Sequence, residues 1–246
     1  MSATVLFNNV DLVVPSTQRH QSLKSYLLDL KNKTIKSELS ILNVHHFEAV
    51  VGDKVCVIGR NGNGKTTFLK VLAGIYPVTS GSVWTIGTPT VVLASGIGLE
   101  DELTVSENIE LSLIFKNVKT KKVKELKERV LSFCELDDQQ EKQFKHLSSG
   151  FKSRLAFAIA TCEKPEILIL DEVLGGGDEF FMKKAKHHVI DNISSATTAF
   201  VCTHAPDEMI GICNRCIVFE KGRIVFDGSM EDGIHFYREQ NSSGEI

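Results

Sequence analysis

The residues of this sequence that could do chemistry begin with a glycine-rich loop. This loop, Gly59-Arg-Asn-Gly-Asn-Gly-Lys-Thr66, fits the pattern G-x-x-x-x-G-K-[ST]. Glycines let backbone N–H groups turn toward a phosphate, and a following helix adds its positive N-terminal end. We predict that Lys65 meets the β- and γ-phosphates of a bound nucleotide and that the Thr66 hydroxyl binds Mg²⁺. The predicted phosphate-binding residues are Gly59, Arg60, Asn61, Gly62, Asn63, Gly64, Lys65, Thr66 and Thr67.

The neighbours of the loop supply the context that this motif requires. Lys54–Ile58 is a short, mostly apolar run, typical of a strand buried on both faces, and Lys65–Leu72 has the apolar spacing of a helix. A chance glycine-rich turn is the alternative interpretation. The order strand, glycine loop, helix favours a phosphate-binding loop.

An acidic pair follows a second apolar run. Ile167–Leu170 is followed by Asp171 and Glu172, which would lie at the edge of the sheet where parallel strands end. An acidic pair in this position is by itself more often a helix start or a solvated strand end. Beside a phosphate-binding loop the functional interpretation is preferred: Asp171 would hold Mg²⁺ through water, and Glu172 would polarise the attacking water.

A histidine ends a third apolar run. His204 comes directly after Phe200–Thr203, so its side chain could reach the γ-phosphate from a neighbouring strand. A lone histidine at a strand end is more often structural, and the position alone does not decide between the two roles.

Composition restricts the class of protein. The chain has 246 residues, of which 42% are hydrophobic and 24% charged, and a formal net charge of −3. These values are ordinary for a globular domain, and the charge gives no global field that would attract nucleic acid. The sequence shows no signal peptide and no membrane span, so we expect another chain to supply any spans. The scattered cysteines suggest a reducing compartment.

The apolar runs alternate between strand-like and helix-like spacing, which predicts an α/β protein with a mainly parallel sheet covered on both faces. The expected strands are Val5–Val14, Ile41–Ala49, Lys54–Ile58, short strands within Gly81–Val92, Glu166–Leu170, Thr198–Cys202 and a hairpin of Cys216–Phe219 with Arg223–Phe226. The expected helices are Lys65–Leu72, Thr104–Phe115, Lys119–Phe133, Lys152–Thr161 and Phe181–Ile193. We expect a helix and a loop in Arg19–Ser40, a loop at His146–Gly150, frayed residues from Asn241 onward, and an inserted helical subdomain at about 104–160.

Further motifs make the sequence resemble the ATPases of ABC transporters. Leu147-Ser-Ser-Gly-Phe-Lys and the following Ser153–Ala160 resemble the signature motif and its helix. Asp171-Glu-Val-Leu-Gly-Gly-Gly-Asp178 resembles the Walker B motif with the D-loop, and His204 matches the switch histidine. The resemblance extends from Leu6 to about Gly228, with four motifs in the family's order.

The resemblance implies a fold and a mode of action. The fold would be that of a P-loop NTPase, a single nucleotide-binding domain over residues 1–246 with an N-terminal antiparallel β portion. Two such domains would pack head to tail around two ATP molecules, as a homodimer. The signature of one chain would cap the γ-phosphate held by the other, and Asp178 would lie at the seam. The signature residues are Ser148, Ser149, Gly150 and Phe151.

Variations in the motifs resemble one branch of the family. The usual signature has glycine in place of Ser149 and glutamine in place of Phe151, whereas a Ser-Ser-Gly-hydrophobic version is similar to that of exporters of O-antigen, capsule and teichoic acid. This resemblance implies a lipid-linked polysaccharide as the exported substrate and two copies of a separate membrane-spanning permease. It places the chain at the cytoplasmic face of the inner membrane, held there through the permease. Some exporters of this branch carry a C-terminal carbohydrate-binding domain, which we do not expect in this chain of 246 residues. From the net charge we expect no nucleic acid partner.

Two positions depart from the family pattern. The position of the Q-loop glutamine falls on Ser95, which could still coordinate Mg²⁺ or water, and Gly96–Glu102 would be the segment that touches the membrane partner. The aromatic side chain that normally stacks on adenine should lie near Ser40, where the sequence has none. Adenine would then be held in another way.

Several functions other than polysaccharide export are compatible with part of the sequence. An ABC transporter ATPase for a different substrate stays open, as does a soluble ABC ATPase, although the chain has neither a second cassette nor a long coiled-coil insertion. A cassette that has lost catalysis is disfavoured because Lys65, Thr66, Asp171, Glu172 and His204 are all present. A GTPase is disfavoured because the sequence has no Asn-Lys-x-Asp motif.

Overall fold

The apolar runs of the sequence form two sheets. The fold is that of a computed structural model, which describes residues 2–15, 38–93, 98–171 and 179–242. The strands are β1 (Ala3–Pro15), β2 (Glu38–Val50), β3 (Lys54–Ile58), β4 (Ser80–Thr85), β5 (Pro89–Leu93), β6 (Ile167–Asp171), β7 (Thr198–Cys202), β8 (Arg215–Glu220) and β9 (Arg223–Gly228). The α/β class predicted from the alternating pattern is confirmed.

The smaller sheet is antiparallel, with strands in the order β2-β1-β4 across the described residues. Phe7 on β1 lies opposite Phe47 on β2 and Val83 on β4. All three side chains point to the face that packs toward the larger sheet. Aromatic and β-branched residues that are paired across strands in this way stabilise a sheet through contact between their side chains.

The larger sheet carries the motif residues at its strand ends. In the described part of the chain its order is β5-β6-β7-β3-β8-β9. The first five of these strands run parallel, and β9 returns antiparallel to β8. Lys221 and Gly222 join β8 to β9, both with positive φ (47° and 78°), as a two-residue hairpin turn requires.

Six helices pack on the two faces and beside the edge of the sheet in the described ranges. They are α1 (Lys65–Leu72), α2 (Val105–Phe115), α3 (Thr120–Cys134), α4 (Ser149–Thr161), α5 (Glu179–Ser195) and α6 (Met230–Ser242). The start of α2 is a capping box: the Thr104 hydroxyl accepts from the backbone N–H of Glu107, and the Glu107 carboxylate accepts from that of Thr104. This arrangement satisfies two backbone donors at the helix end.

Alternate residues of each central strand enter different cores. Val55 and Val57 of β3 pack toward the small sheet and α1, whereas Cys56 and Ile58 pack toward α5 and α6 on the other face. Because side chains alternate across a strand, the continuous apolar runs of β3 and β6 are what burial on both faces requires. A third core lies among α2, α3 and α4.

Phe68 lies at the centre of the first core. Its ring is fully buried and stacks on Phe7 with centroids 4.8 Å apart. Its ring centroid also lies 5.0 Å from that of Phe219, 5.5 Å from that of Phe47 and 6.3 Å from that of Phe200. A single side chain of α1 thus packs against β1 and β2 of the small sheet and against β7 and β8 of the large sheet.

Three expectations from the sequence were wrong in detail. Residues 38–40, assigned to a loop, belong to β2 because they continue its ladder with β1. Helix α4 starts at Ser149 and not at Lys152, because Ser148 caps it and brings the expected loop residues into the first turn. Asn241, expected to be frayed, lies in α6, a helix that the pattern did not reveal. The rest of Arg19–Ser40, up to residue 37, lies outside the described residues.

The aromatic core around Phe68 makes a prediction about stability. We expect Phe68→Ala to lower the free energy of unfolding by about 3–5 kcal/mol, because the substitution removes a fully buried ring from a close-packed site. Phe115→Ala is the matched control, since Phe115 is 75% exposed, and we expect a change within about 0.5 kcal/mol. Urea denaturation followed by circular dichroism measures both. Equal losses in the two variants would contradict this account of the core.

Candidate functional site

The phosphate-binding loop joins β3 to α1 through glycines with unusual backbone angles. Gly59, Gly62 and Gly64 have φ values of 149°, 79° and 98°. A Cβ atom on Gly59 would lie 2.5 Å from the carbonyl oxygen of Phe219 on β8. Glycine is therefore needed at position 59 for two reasons: the backbone angle, and the close approach of the neighbouring strand.

Lys65, the first residue of α1, lies inside the loop with 5% of its surface exposed. Its Nζ donates to the carbonyl oxygens of Gly59 at 2.7 Å and Arg60 at 3.2 Å. Both acceptors are neutral, so the ammonium charge can still attract an anion. Thr66 is exposed beside it at the helix N-terminus, where the free N–H groups also favour negative charge. Lys65 and Thr66 thus lie where the sequence predicted them.

Tertiary contacts that the sequence did not reveal hold this loop in place. The Asn63 amide donates to the carbonyl of Phe219 at 3.1 Å, and the backbone N–H of Gly222 donates to the carbonyl of Asn63 at 2.9 Å. On the other side, Arg60 Nε donates to Asn241 Oδ1 at 2.7 Å. The β8–β9 turn and the end of α6 thus support the phosphate-binding loop, although they are far from it in the sequence.

Asp171 and His204 leave the sheet at the same edge as the loop. In the register of the sheet, Val57 of β3 lies beside Cys202 of β7, and Cys202 lies beside Asp171 of β6. Two strand spacings therefore separate Asp171 from Val57, which is about 10 Å. His204 follows Cys202 by two residues and is exposed. Parallel strands that end together bring the loop, the carboxylate and the histidine to one crevice.

Three of the predicted site residues belong to segments between the described ranges. Glu172, Asp178 and Ser95 lie outside the described residues. For these three the roles assigned from the sequence stay predictions. Asp171 on β6 and Glu179 on α5 are the described residues on either side of the segment that contains Glu172 and Asp178.

The residues resembling a signature form the start of α4. Ser148 caps the helix, and its hydroxyl accepts from the backbone N–H of Phe151 at 3.4 Å. Ser149 is exposed and Gly150 is half-buried in the first turn. Helix α4 packs on β5, which two strands separate from β3 in the sheet. The polar helix start is thus available at the surface and is carried by a different part of the fold from the loop.

Ser40, near which the adenine-stacking aromatic was sought, is an exposed residue of β2. Its hydroxyl donates to Asp11 Oδ1 on β1 at 3.1 Å. The position is therefore occupied by a small polar contact between strands.

Four buried cysteines lie on or next to β3, β7 and β8, Cys202 in the core on one face of the sheet and the other three in the core on the opposite face. A hydrogen bond with Cys213, together with burial, raises the pKa of the Cys56 thiol, and burial raises that of Cys216 to about 12. Cys202 is also buried. Nucleophilic attack requires the thiolate, so Cys56 and Cys216 act as small apolar core residues.

A cleft of about 540 Å³ separates the edge strand β5 from the helices. Val91 lines one wall, and Ser112, Phe115, Ala156 and Ile159 line the other. These side chains are small or apolar, whereas Lys116, Glu163, Lys164 and Glu166 line other parts of the cleft, which is open to the surface. Such a cleft suits an apolar segment of another protein. No helix within the described ranges is long and apolar enough to cross a membrane.

Comparisons with known proteins agree with this arrangement. The family model described as ABC transporter matches residues 42–175. The O-antigen export system ATP-binding protein RfbE of Yersinia enterocolitica is 33% identical over 236 residues, which cover 93% of this chain and 98% of RfbE. RfbB of Klebsiella pneumoniae, with the same description, is 34% identical over 78% of each chain. The teichoic acids export ATP-binding protein TagH of Listeria innocua is 32% identical over 78% of this chain and 57% of TagH.

Solved structures share the fold. An ATP-binding subunit of an ABC transporter superposes with a TM-score of 0.73 at 17% identity, covering 98% of this chain and 95% of that one. The dimeric cassette MJ0796, bound to ADP and Pi, superposes with a TM-score of 0.69 at 20% identity, covering 92% and 98%. The match of the family model and the nearly full-length match to RfbE show that this chain belongs to the ABC transporter family of ATP-binding, ATP-hydrolysing subunits.

Proposed function

We propose that two copies of this chain bind two Mg–ATP molecules between them and power export of a lipid-linked polysaccharide, such as O-antigen. The polymer crosses the inner membrane through two copies of a separate permease, which hold this chain at the cytoplasmic face. The observation that carries the ATPase part is the convergence of the loop, Asp171 and His204 at one sheet edge. The substrate class is supported by the similarity to RfbE over nearly all of both chains.

Each residue has a defined task in this proposal. The loop amides and the Lys65 ammonium bind the β- and γ-phosphates, while Glu172 orients and deprotonates the attacking water and His204 contacts the γ-phosphate. Among the described residues no cluster of acidic, histidine or cysteine side chains could hold a metal by itself. The Thr66 hydroxyl and the Asp171 carboxylate are oxygen ligands that suit Mg²⁺ arriving with the triphosphate, where it neutralises phosphate charge.

The proposal of a dimer is supported by the position of the signature. Helix α4 packs on β5, away from β3 and its loop. Ser148 and the N–H groups of the first turn of α4 therefore have the chemistry to bind a phosphate but are carried by another part of the chain. A second copy that approaches head to tail brings its Ser148 to this loop, and Asp178 then lies at the seam. MJ0796, with the same fold, is dimeric.

The cleft between β5 and the helices is proposed to receive the permease. One wall carries small and apolar side chains, and the cleft is also lined by Gly98 and Leu99, from the described part of the segment that the family places against the membrane partner. A short helix of the permease seated there would contact both the sheet and α4, whose other end carries Ser148. ATP-driven closure of the dimer would then move the seated helix.

The loop geometry makes a prediction about Gly59. We expect Gly59→Ala to reduce ATP turnover by the purified chain on the order of a hundredfold, because the new Cβ meets the Phe219 carbonyl and displaces the loop. Gly74→Ala is the control: Gly74 also has a positive φ of 70°, but its Cβ would meet nothing within 4 Å. We expect that control to lose about 1 kcal/mol of stability and to keep its turnover. Turnover unchanged in Gly59→Ala would refute this role of the contact.

The acidic pair makes a prediction about hydrolysis. We expect Glu172→Gln to bind ATP with unchanged affinity and to lose at least about a hundredfold in turnover, because the general base is removed. Light scattering should show a dimer of this variant in Mg–ATP. Lys65→Ala provides the contrast, with an affinity for ATP weakened about tenfold to a hundredfold. Undiminished turnover in Glu172→Gln would disprove the assignment of the base.

The cleft makes a prediction about assembly. We expect Ser112→Arg to reduce co-purification with the coexpressed membrane protein of the adjacent gene at least tenfold, because about the volume of an arginine side chain enters the cleft. Ser132→Arg, exposed on α3 outside the cleft, is the matched control. Basal ATP turnover should be unchanged in both. If the two variants co-purify equally, the permease docks elsewhere.

A further inference from the structure

The corner where α2 ends and α3 begins has an unusual surface. Ile114 is 60% exposed and Phe115 is 75% exposed, the two highest values among the large hydrophobic side chains of the described residues. Next to them, residues 114–124 contain five lysines and no Asp or Glu, although the whole chain carries a net charge of −3. We call Ile114, Phe115, Lys119, Lys121, Lys122 and Lys124 the basic corner.

The fold does not use these lysines for its own stability. Lys119 is the N-cap of α3 without a side-chain hydrogen bond, and the first turn of α3 has no acidic residue. Positive charge at a helix N-terminus opposes the helix dipole. Lys119, Lys121, Lys122 and Lys124 are all exposed, and none of them forms an ion pair with another residue that the structure describes. Local stability therefore gives no reason for this arrangement.

Lys116, in the same segment, has a different task. Its Nζ donates to the carbonyl oxygens of Ile159 at 2.7 Å and Ala160 at 2.8 Å, at the C-terminal end of α4. Burial lowers the pKa of this ammonium. These hydrogen bonds fix the end of α2 against α4, and the exposed residues of the basic corner are held in place by this contact.

The basic corner is continuous with the cleft proposed for the permease. Phe115 and Lys116 line that cleft together with β5 and α4. A permease seated in the cleft lies in the bilayer, so the rim of the cleft that carries Phe115 faces the same membrane. That the basic corner faces the membrane rests on the proposed docking of the permease. The charge and the exposure of its side chains do not depend on that docking.

We propose that the basic corner binds the anionic surface of the membrane directly, beside the permease. The exposed lysines attract anionic phospholipid headgroups, and the side chains of Phe115 and Ile114 enter the boundary between headgroups and acyl chains. An aromatic side chain beside several lysines combines the two contributions that bind a protein to such a surface. The contact would keep the chain at the bilayer in every state of the ATP cycle.

The test measures sedimentation of the purified chain with phosphatidylcholine vesicles that contain or lack phosphatidylglycerol. We expect binding only to the anionic vesicles, weakened by salt. Each lysine near the surface contributes about fivefold to the partition coefficient, so Lys121→Glu with Lys124→Glu should lower it at least about 25-fold. Phe115→Ser should lower it about tenfold while leaving the salt dependence in place.

The control variant is Lys142→Glu with Lys186→Glu, which makes the same change of charge at exposed positions between α3 and α4 and on α5. Thermal unfolding and ATP affinity should be unchanged in all variants. Equal binding to both kinds of vesicle, or an equal loss in the control, would overturn the proposal. So would corner variants that lose co-purification with the permease but keep vesicle binding, because the corner would then be a protein interface. Permease docking is measured separately, so that its failure in Ser112→Arg can be told from failure here.

Discussion

The packing of Phe68 between the two sheets is the interaction on which the rest of the structure depends. Its ring contacts Phe7, Phe47, Phe200 and Phe219, which come from both sheets. This contact fixes α1 over the sheet, and α1 begins with Lys65. The position of the ammonium and of the free N–H groups at the helix start is therefore set by apolar burial about one turn further along the same helix. A well-packed core thus supplies the rigid support that a phosphate site needs.

The phosphate loop is supported from both ends by parts of the chain that are distant in sequence. Phe219 approaches Gly59 from β8, and the β8–β9 turn donates to Asn63. Arg60 is held by Asn241 at the end of α6. These contacts fix the loop before a nucleotide arrives, which lowers the entropy lost on binding. A change at the C-terminal helix can therefore reach the nucleotide site through one hydrogen bond.

Helix α4 links the two proposed surfaces. Its N-terminal end carries Ser148, and its C-terminal carbonyls accept from Lys116, which lies next to the basic corner. The 13 residues of α4 span about 20 Å as a straight helix. A helix transmits displacement along its axis because each turn is hydrogen-bonded to the next. When the signature contacts ATP held by a second copy, the resulting displacement of α4 would therefore also move the cleft and the surface proposed to bind the membrane.

The sequence by itself determined the chemistry: the glycine loop with Lys65 and Thr66, the strand ending in Asp171, the capping box of α2 and the buried central strands. These features depend on neighbours within a few residues, where backbone angles and side-chain periodicity act directly. It missed α6, whose packing on β8 and β9 and contact with Arg60 link residues far apart along the chain, and it began α4 three residues late. The strand order, the cleft and the supports of the loop were decided only by the tertiary structure, because burial and close approach join residues whose separation along the chain carries no local signal.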